Sequence, residues 1–131
     1  MSSIFSKIIS GEIPCYNIAE DDAFLAFLDI NPLVEGHTLI IPKKEIDYIF
    51  DIDDALLKDM IVFSKKVANR IQKAIPCKRI GLSVIGLEVP HAHIHLVPMQ
   101  SMKDMDFSKV KLALSSSHLE GIQKKINAVS E

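Results

Sequence analysis

At 131 residues, 48 % of them hydrophobic and 24 % charged, the chain has the size and balance of one globular domain with a proper core. A net charge of −2 leaves no basic footprint, which argues against a nucleic-acid partner. No apolar run approaches the ~20 residues of a membrane span. Lys7, Glu12 and Asp21 interrupt the N-terminal region before a signal-peptide core can form, so a cytoplasmic protein is expected.

In chain order, Ser3–Ile9 predicts a short helix with Ile4, Phe5, Ile8 and Ile9 on its apolar side, ended by Ser10-Gly11. Cys15 and Cys77 are far apart and read as free thiols of a reducing compartment. Tyr16–Glu20 and Phe24–Asp29 predict two strands joined by an Asp21-Asp22 turn. Asn31-Pro32 breaks the second. After Gly36, the run His37-Thr38-Leu39-Ile40-Ile41 closes on Pro42 and reads as a central, buried strand with His37 at its entrance.

One long helix is expected from about Asp53 to Ile75, capped by Asp51 or Asp53 and stopped by Pro76. Leu57, Met60, Ile61, Ser64, Val67, Ala68 and Ile71 form its inner stripe. Leu56, Phe63 and Ala74 widen the apolar arc beyond what one core needs, which a second burial surface such as a dimer contact would explain; a lone exposed Phe63 is the plainer reading. Arg79–Ile85 predicts a further strand, Gly86–Pro90 a tight loop, and Ser117–Val129 a terminal helix. There are no repeats or linkers. Antiparallel strands with one long helix and shorter terminal ones make the class α+β.

The chemistry concentrates in His91-Ala92-His93-Ile94-His95-Leu96-Val97, read as a strand that Pro98 ends. Alternation puts the three histidines on one face, each ~7 Å from the next, with Ala92, Ile94 and Leu96 turned into a core. Three uses fit. A metal could take two imidazoles, with His37 or Glu88 as further ligands, but no Cys/His pair stands at standard spacing. The histidines could be passive, although each buried imidazole would need its own partner. Or one could attack phosphorus as a nucleophile while its neighbours hold its tautomer, balance charge and pass protons.

These residues resemble the His-φ-His-φ-His-φ-φ signature of the histidine triad (HIT) nucleotide hydrolases and transferases. Ile4-Phe5-x-x-Ile8-Ile9-x-x-Glu12-Ile13-Pro14 is similar to that family's N-terminal segment. Leu25–Pro32 and Gly36–Lys43 resemble its nucleoside-binding half. The likeness runs over residues 3 to 98 in the same order, implying one HIT-like domain over 1–131 with a polar, helical extension over 99–131. It also implies a homodimer with the long helix and a strand at its interface; no cofactor or metal is expected.

By position, the resemblance makes His93 the nucleophile toward the α-phosphorus of a nucleotide conjugate, flanked by His91 and His95, with His37 completing the cluster. Asp29 matches the carboxylate used on the ribose hydroxyls. Phe5, Ile8, Phe27 and Ile30 match the apolar walls of the purine slot, and Ser83 stands where many relatives have an Asn. The implied activity is hydrolysis of nucleoside monophosphate (AMP or GMP type) conjugates, as in purine nucleoside phosphoramidases. A dinucleoside polyphosphate hydrolase, or a nucleotide-binding module with little turnover, are the alternatives. Two departures stand out. Leu87 and Glu88 fall where relatives carry a Gln or Ser, removing a donor for phosphate and leaving group. Ser3-Ile4-Phe5-Ser6 replaces the Cys-x-x-Cys of zinc-bearing relatives, and a serine hydroxyl is no substitute for a thiolate ligand.

Overall fold

β-Branched and aromatic runs bounded by turn residues build the sheet, as seen in a computed structural model that describes residues 3–130. The elements are α1 (Ile4–Ile9), β1 (Asn17–Glu20), β2 (Phe24–Leu28), β3 (Thr38–Pro42), α2 (Asp54–Ala74), β4 (Arg79–Ser83), β5 (Ile94–Met99) and α3 (Ser116–Asn127). Short 3-10 turns lie at Ile49–Asp51 and Met102–Met105. The five strands are antiparallel neighbours in the order β1-β2-β3-β5-β4, so β3 is central, as its apolar run predicts.

Local chemistry sets the boundaries. Asp21 Oδ1 accepts from the Ala23 and Phe24 amides, tying the β1–β2 turn. Asp53 caps α2 by accepting from Leu56 N–H at 2.8 Å, and Ile75 is extended because Pro76 follows it. Gly36, at φ +92°, lets the chain enter β3 beneath Pro98 and Ile75; an added Cβ would lie 3.0 Å from Pro98 Cγ.

The sheet separates two environments. On one face Ala26, Ile40 and Ile94 form a row, beside Leu28 and Leu96, all buried against Met60, Val67 and Ile71 of α2 and Leu119, Ile122 and Ile126 of α3. On the other face Leu25 lies beside Ile41, and Phe27 beside Leu39 and then His95, with Phe5 of α1 packed over them. Period-2 alternation thus delivers His95 to the face opposite the main core.

Two expectations need correction. The histidine strand begins only at Ile94 and runs through Pro98 to Met99. His91–His93 precede it because Ala92 N–H bonds to Ile46 O in a loop, outside the ladder. Pro98 is tolerated because β3 ends its pairing at Thr38↔Leu96, leaving β5 beyond that point unpaired on one side. In α2, Ile61 belongs to the outer surface at 47 % exposure, while Leu56, Phe63 and Ala74 pack against the main core, Phe63 with its ring 5.4 Å from that of Phe24. Those three side chains are partly buried within the one chain, and the large apolar residues exposed on α2 are Ile61 and Val62. Within the polar extension, α3 contributes Leu119, Ile122 and Ile126 to the core.

Candidate active site

Four imidazoles and one carboxylate converge at the sheet face that α1 partly covers. His37 comes from the entrance of β3, His91 and His93 from the approach to β5, His95 from β5 itself, and Asp29 from the end of β2. His91 and His37 are fully buried at 0 % and 1 % exposure, whereas His93 and His95 keep 7 % and 8 %. Only the latter two present surface to a ligand.

The backbone fixes the tautomers of three rings, and His37 fixes that of the fourth. A carbonyl oxygen can only accept and an amide N–H can only donate, so each such contact decides where the ring proton sits. His93 Nδ1 lies 2.8 Å from His91 O and therefore carries a proton, so the lone pair of the neutral ring belongs to Nε2. His91 Nε2 lies 2.8 Å from Pro42 O and carries its proton, so Nδ1 accepts from Ser3 Oγ at 2.9 Å. Leu33 N–H donates to His37 Nδ1 at 3.0 Å, which puts the His37 proton on Nε2. That proton goes to His95 Nδ1, 3.0 Å away, and His95 is left with an N–H on Nε2. The row ends in two complementary groups: a lone pair on His93 and a donor on His95, with ring centres 4.9 Å apart.

Burial favours the neutral form of three of the four rings, His37, His91 and His95. Burial, helped by the neighbouring His95, pushes His37 down to about 3, and burial with His93 nearby pushes His95 down to about 4. Burial also lowers His91, against the opposing hydrogen bond to Pro42. Asp29 is raised by burial, offset in part by the Asn31 amide on its Oδ1 at 2.8 Å; its Oδ2 lies 3.7 Å from His37 Nε2.

Asp29, His37 and His95 bring three donor atoms within 4.8 Å of one another, a spacing that a metal ion could bridge. The chemistry of the set opposes it. A ligating nitrogen needs its lone pair, and with Leu33 N–H already on Nδ1 a metal on Nε2 would require His37 as imidazolate. Glu88, the other ligand considered, is exposed and outside this group.

Two aromatic walls flank the imidazoles. Phe5 packs edge-on against His93 and His91, at 5.1 and 5.9 Å, and touches Phe27 at 5.6 Å. Ile8 packs partly on the same cluster, and Ile30 stands 58 % exposed. Ser83 pairs in register with His95, on the same face. Phe107 forms the second wall, its ring 4.8 Å from His95 and 6.3 Å from His37. It is the one Phe, Tyr or Trp beyond the triad, and no local pattern marks it as a site residue. Nor does any mark Ser3, Leu33 or Glu45 as partners of the histidines. Leu87 is 88 % exposed and brings no side chain to the site.

A model of the HIT domain matches residues 10–102. The chain belongs to the HIT family. An uncharacterized HIT-like protein of Borreliella burgdorferi is 39 % identical over 102 residues, covering 72 % of this chain and 73 % of that one. The adenosine 5'-monophosphoramidase of Schizosaccharomyces pombe is 37 % identical over 103 residues, covering 75 % and 74 %. Among solved structures, a HIT-like protein from Bartonella henselae superposes with a TM-score of 0.84 at 32 % identity, covering 97 % of this chain and 95 % of that one. HIT proteins are nucleotide-binding hydrolases, and the five-stranded antiparallel sheet with its helices is their fold.

Proposed function

We propose that this HIT protein hydrolyses purine nucleoside monophosphate conjugates through a nucleotide covalently held on His93. The observation that carries the proposal is the pair of tautomers at the exposed end of the row. His93 offers an unprotonated Nε2, held in place by His91 O behind it, and His95 offers a neutral N–H alongside. In-line attack forms an Nε2–P bond and expels the leaving group. Positive charge on the His93 ring is taken up by the Nδ1–H···O=C bond, and the His95 N–H serves as the donor to the phosphoryl oxygens. Water then cleaves the intermediate and frees the nucleotide. Asp29 takes the ribose hydroxyls, and Phe5, Ile8, Phe27 and Ile30 take the base. The yeast relative acting as an adenosine 5'-monophosphoramidase supports this substrate class.

The dinucleoside polyphosphate reading has an observation of its own. A neutral His95, held down to about 4, has no ready proton for a basic leaving group at neutral pH, and Leu87 supplies none. Polyphosphate-like or phenolate groups leave without one. A panel of adenosine and guanosine phosphoramidates, aryl phosphodiesters and dinucleoside polyphosphates ranks these readings by kcat/KM. Nucleotide binding without turnover of any would reduce the protein to a binding module.

The proposal includes a homodimer in the cytoplasm. Ile61 and Val62 on α2, with Leu82, Val84 and Ile85 at and beyond the β4 edge, leave apolar surface for a second copy. No described helix is long and apolar enough to cross a membrane.

A further inference from the structure

The first histidine of the row does not face the substrate, and its partners lie outside the triad. His91 is fully buried, with Nε2 on Pro42 O and Nδ1 on Ser3 Oγ, so both ring nitrogens are spent inside the protein. Ser3 is also the N-cap of α1, its Oγ accepting from Ser6 N–H at 3.0 Å. Above it, Glu45 Oε1 accepts from Ser3 N–H and from Ser6 Oγ–H, both at 2.6 Å. Those two bonds hold the Glu45 carboxyl down to about 2, the Ser3 amide contributing most.

The contacts form one chain: carboxylate to N-cap, N-cap hydroxyl to His91 ring, and His91 carbonyl to the Nδ1–H of His93. They link loop residue Glu45, helix residue Ser3 and the approach to β5, which are 42 and 88 residues apart. Phe5, two residues beyond the cap, packs on His93 itself. We propose that Glu45 and Ser3 are positioning residues: they lock His91 so that its carbonyl keeps His93 in the tautomer with a free Nε2, and they make the base-slot helix and the nucleophile move as one body. The kinetic side of this inference rests on the activity proposed above; the tautomer side does not.

The test compares Ser3→Ala, Ser3→Thr, Glu45→Ala and Glu45→Gln with Asp53→Ala. The last removes the cap of α2, far from the site, and controls for lost helix stability. Ser3→Ala is expected to lower kcat roughly 10- to 100-fold with KM changed less than about threefold, because orientation rather than binding is lost. Threonine keeps a capping hydroxyl and glutamine keeps an acceptor, so both should restore most of the rate, while Asp53→Ala leaves it unchanged. Independently of turnover, the 15N shifts of the His93 ring should report one tautomer, Nδ1–H, in the wild type and a mixture in Ser3→Ala. Unaltered His93 shifts in Ser3→Ala, or a kcat loss no larger than that of Asp53→Ala, would overturn the proposal. A wild type that turns over no nucleotide conjugate while its His93 shifts respond as expected would sink the activity and leave the positioning intact.

Discussion

The two faces of the sheet are built from the same strands and follow opposite rules. Behind β3 and β5, Ile40, Ile94 and Leu96 pack on α2 and α3 in a contiguous, mainly apolar core. In front, His37, His91 and His93 are each held by a backbone carbonyl or amide and His95 by the His37 ring, so what the face can do depends on which nitrogen holds a proton. Dispersion and burial are non-directional, so the rear face should tolerate volume-preserving change. The front face should lose function from a single misplaced proton while the fold stands.

The sharpest way to break this contrast is to mutate neighbours that point to opposite faces. His93→Ala should lower turnover at least about a thousandfold, since no other group is placed to form the covalent intermediate. Nucleotide affinity, read by calorimetry, should stay within about tenfold because Asp29 and the base walls are untouched. Ile94→Ala, one residue on, should do the reverse. It should cost 2–5 kcal/mol in denaturant unfolding, roughly as for other buried aliphatics, with kcat of the folded fraction nearly unchanged.

Acid separates the faces next. His37 and His95 sit at about 3 and about 4 in the folded protein, against 6.5 in an unfolded chain. Below 6.5 the unfolded chain therefore binds more protons. The stability that goes with neutral rings is complete above that pH and is lost as pH falls from 6.5 toward 4. With both rings contributing fully, the slope approaches about 2.7 kcal/mol per pH unit, and His37→Gln should remove roughly half of it. A flat stability profile over this range would mean that the rings are already charged in the fold.

The smallest effects concern the proton donor. Exhaustive chelation should leave turnover unchanged, as expected of direct attack by imidazole; stoichiometric zinc lost together with activity would contradict it. With activated conjugates turned over faster than alkyl phosphoramidates, Leu87→Gln should narrow that gap by less than about tenfold, because the exposed side chain must fold inward to help.

The rear face was legible in the sequence because burial writes a period. The apolar run of β3 and the stripe Met60, Ser64, Val67, Ile71 announce themselves without tertiary information. The front face was legible only as composition. Alternation brought the histidines together on paper, yet the same alternation suggested a strand over His91–His93, where the chain in fact bonds to the Ile46 loop. What decides the chemistry lies in contacts that span the chain. His37 meets His95 across 58 residues, and Ser3 meets His91 across 88. Phe107 reaches the site from an extension whose composition reads as solvated. No local pattern encodes such pairings, so tautomers and the second aromatic wall required the fold.

Displacement at phosphorus by His93 is tested most directly by stereochemistry. A nucleotide conjugate with a chiral α-phosphorothioate would be hydrolysed in 18O-labelled water and the configuration of the product determined. Two successive in-line displacements, on and off His93, predict overall retention, with the transient adduct mapped to His93 by mass spectrometry after rapid quench. Inversion would mean that water attacks phosphorus in a single step, leaving the histidine row to hold the substrate rather than react with it.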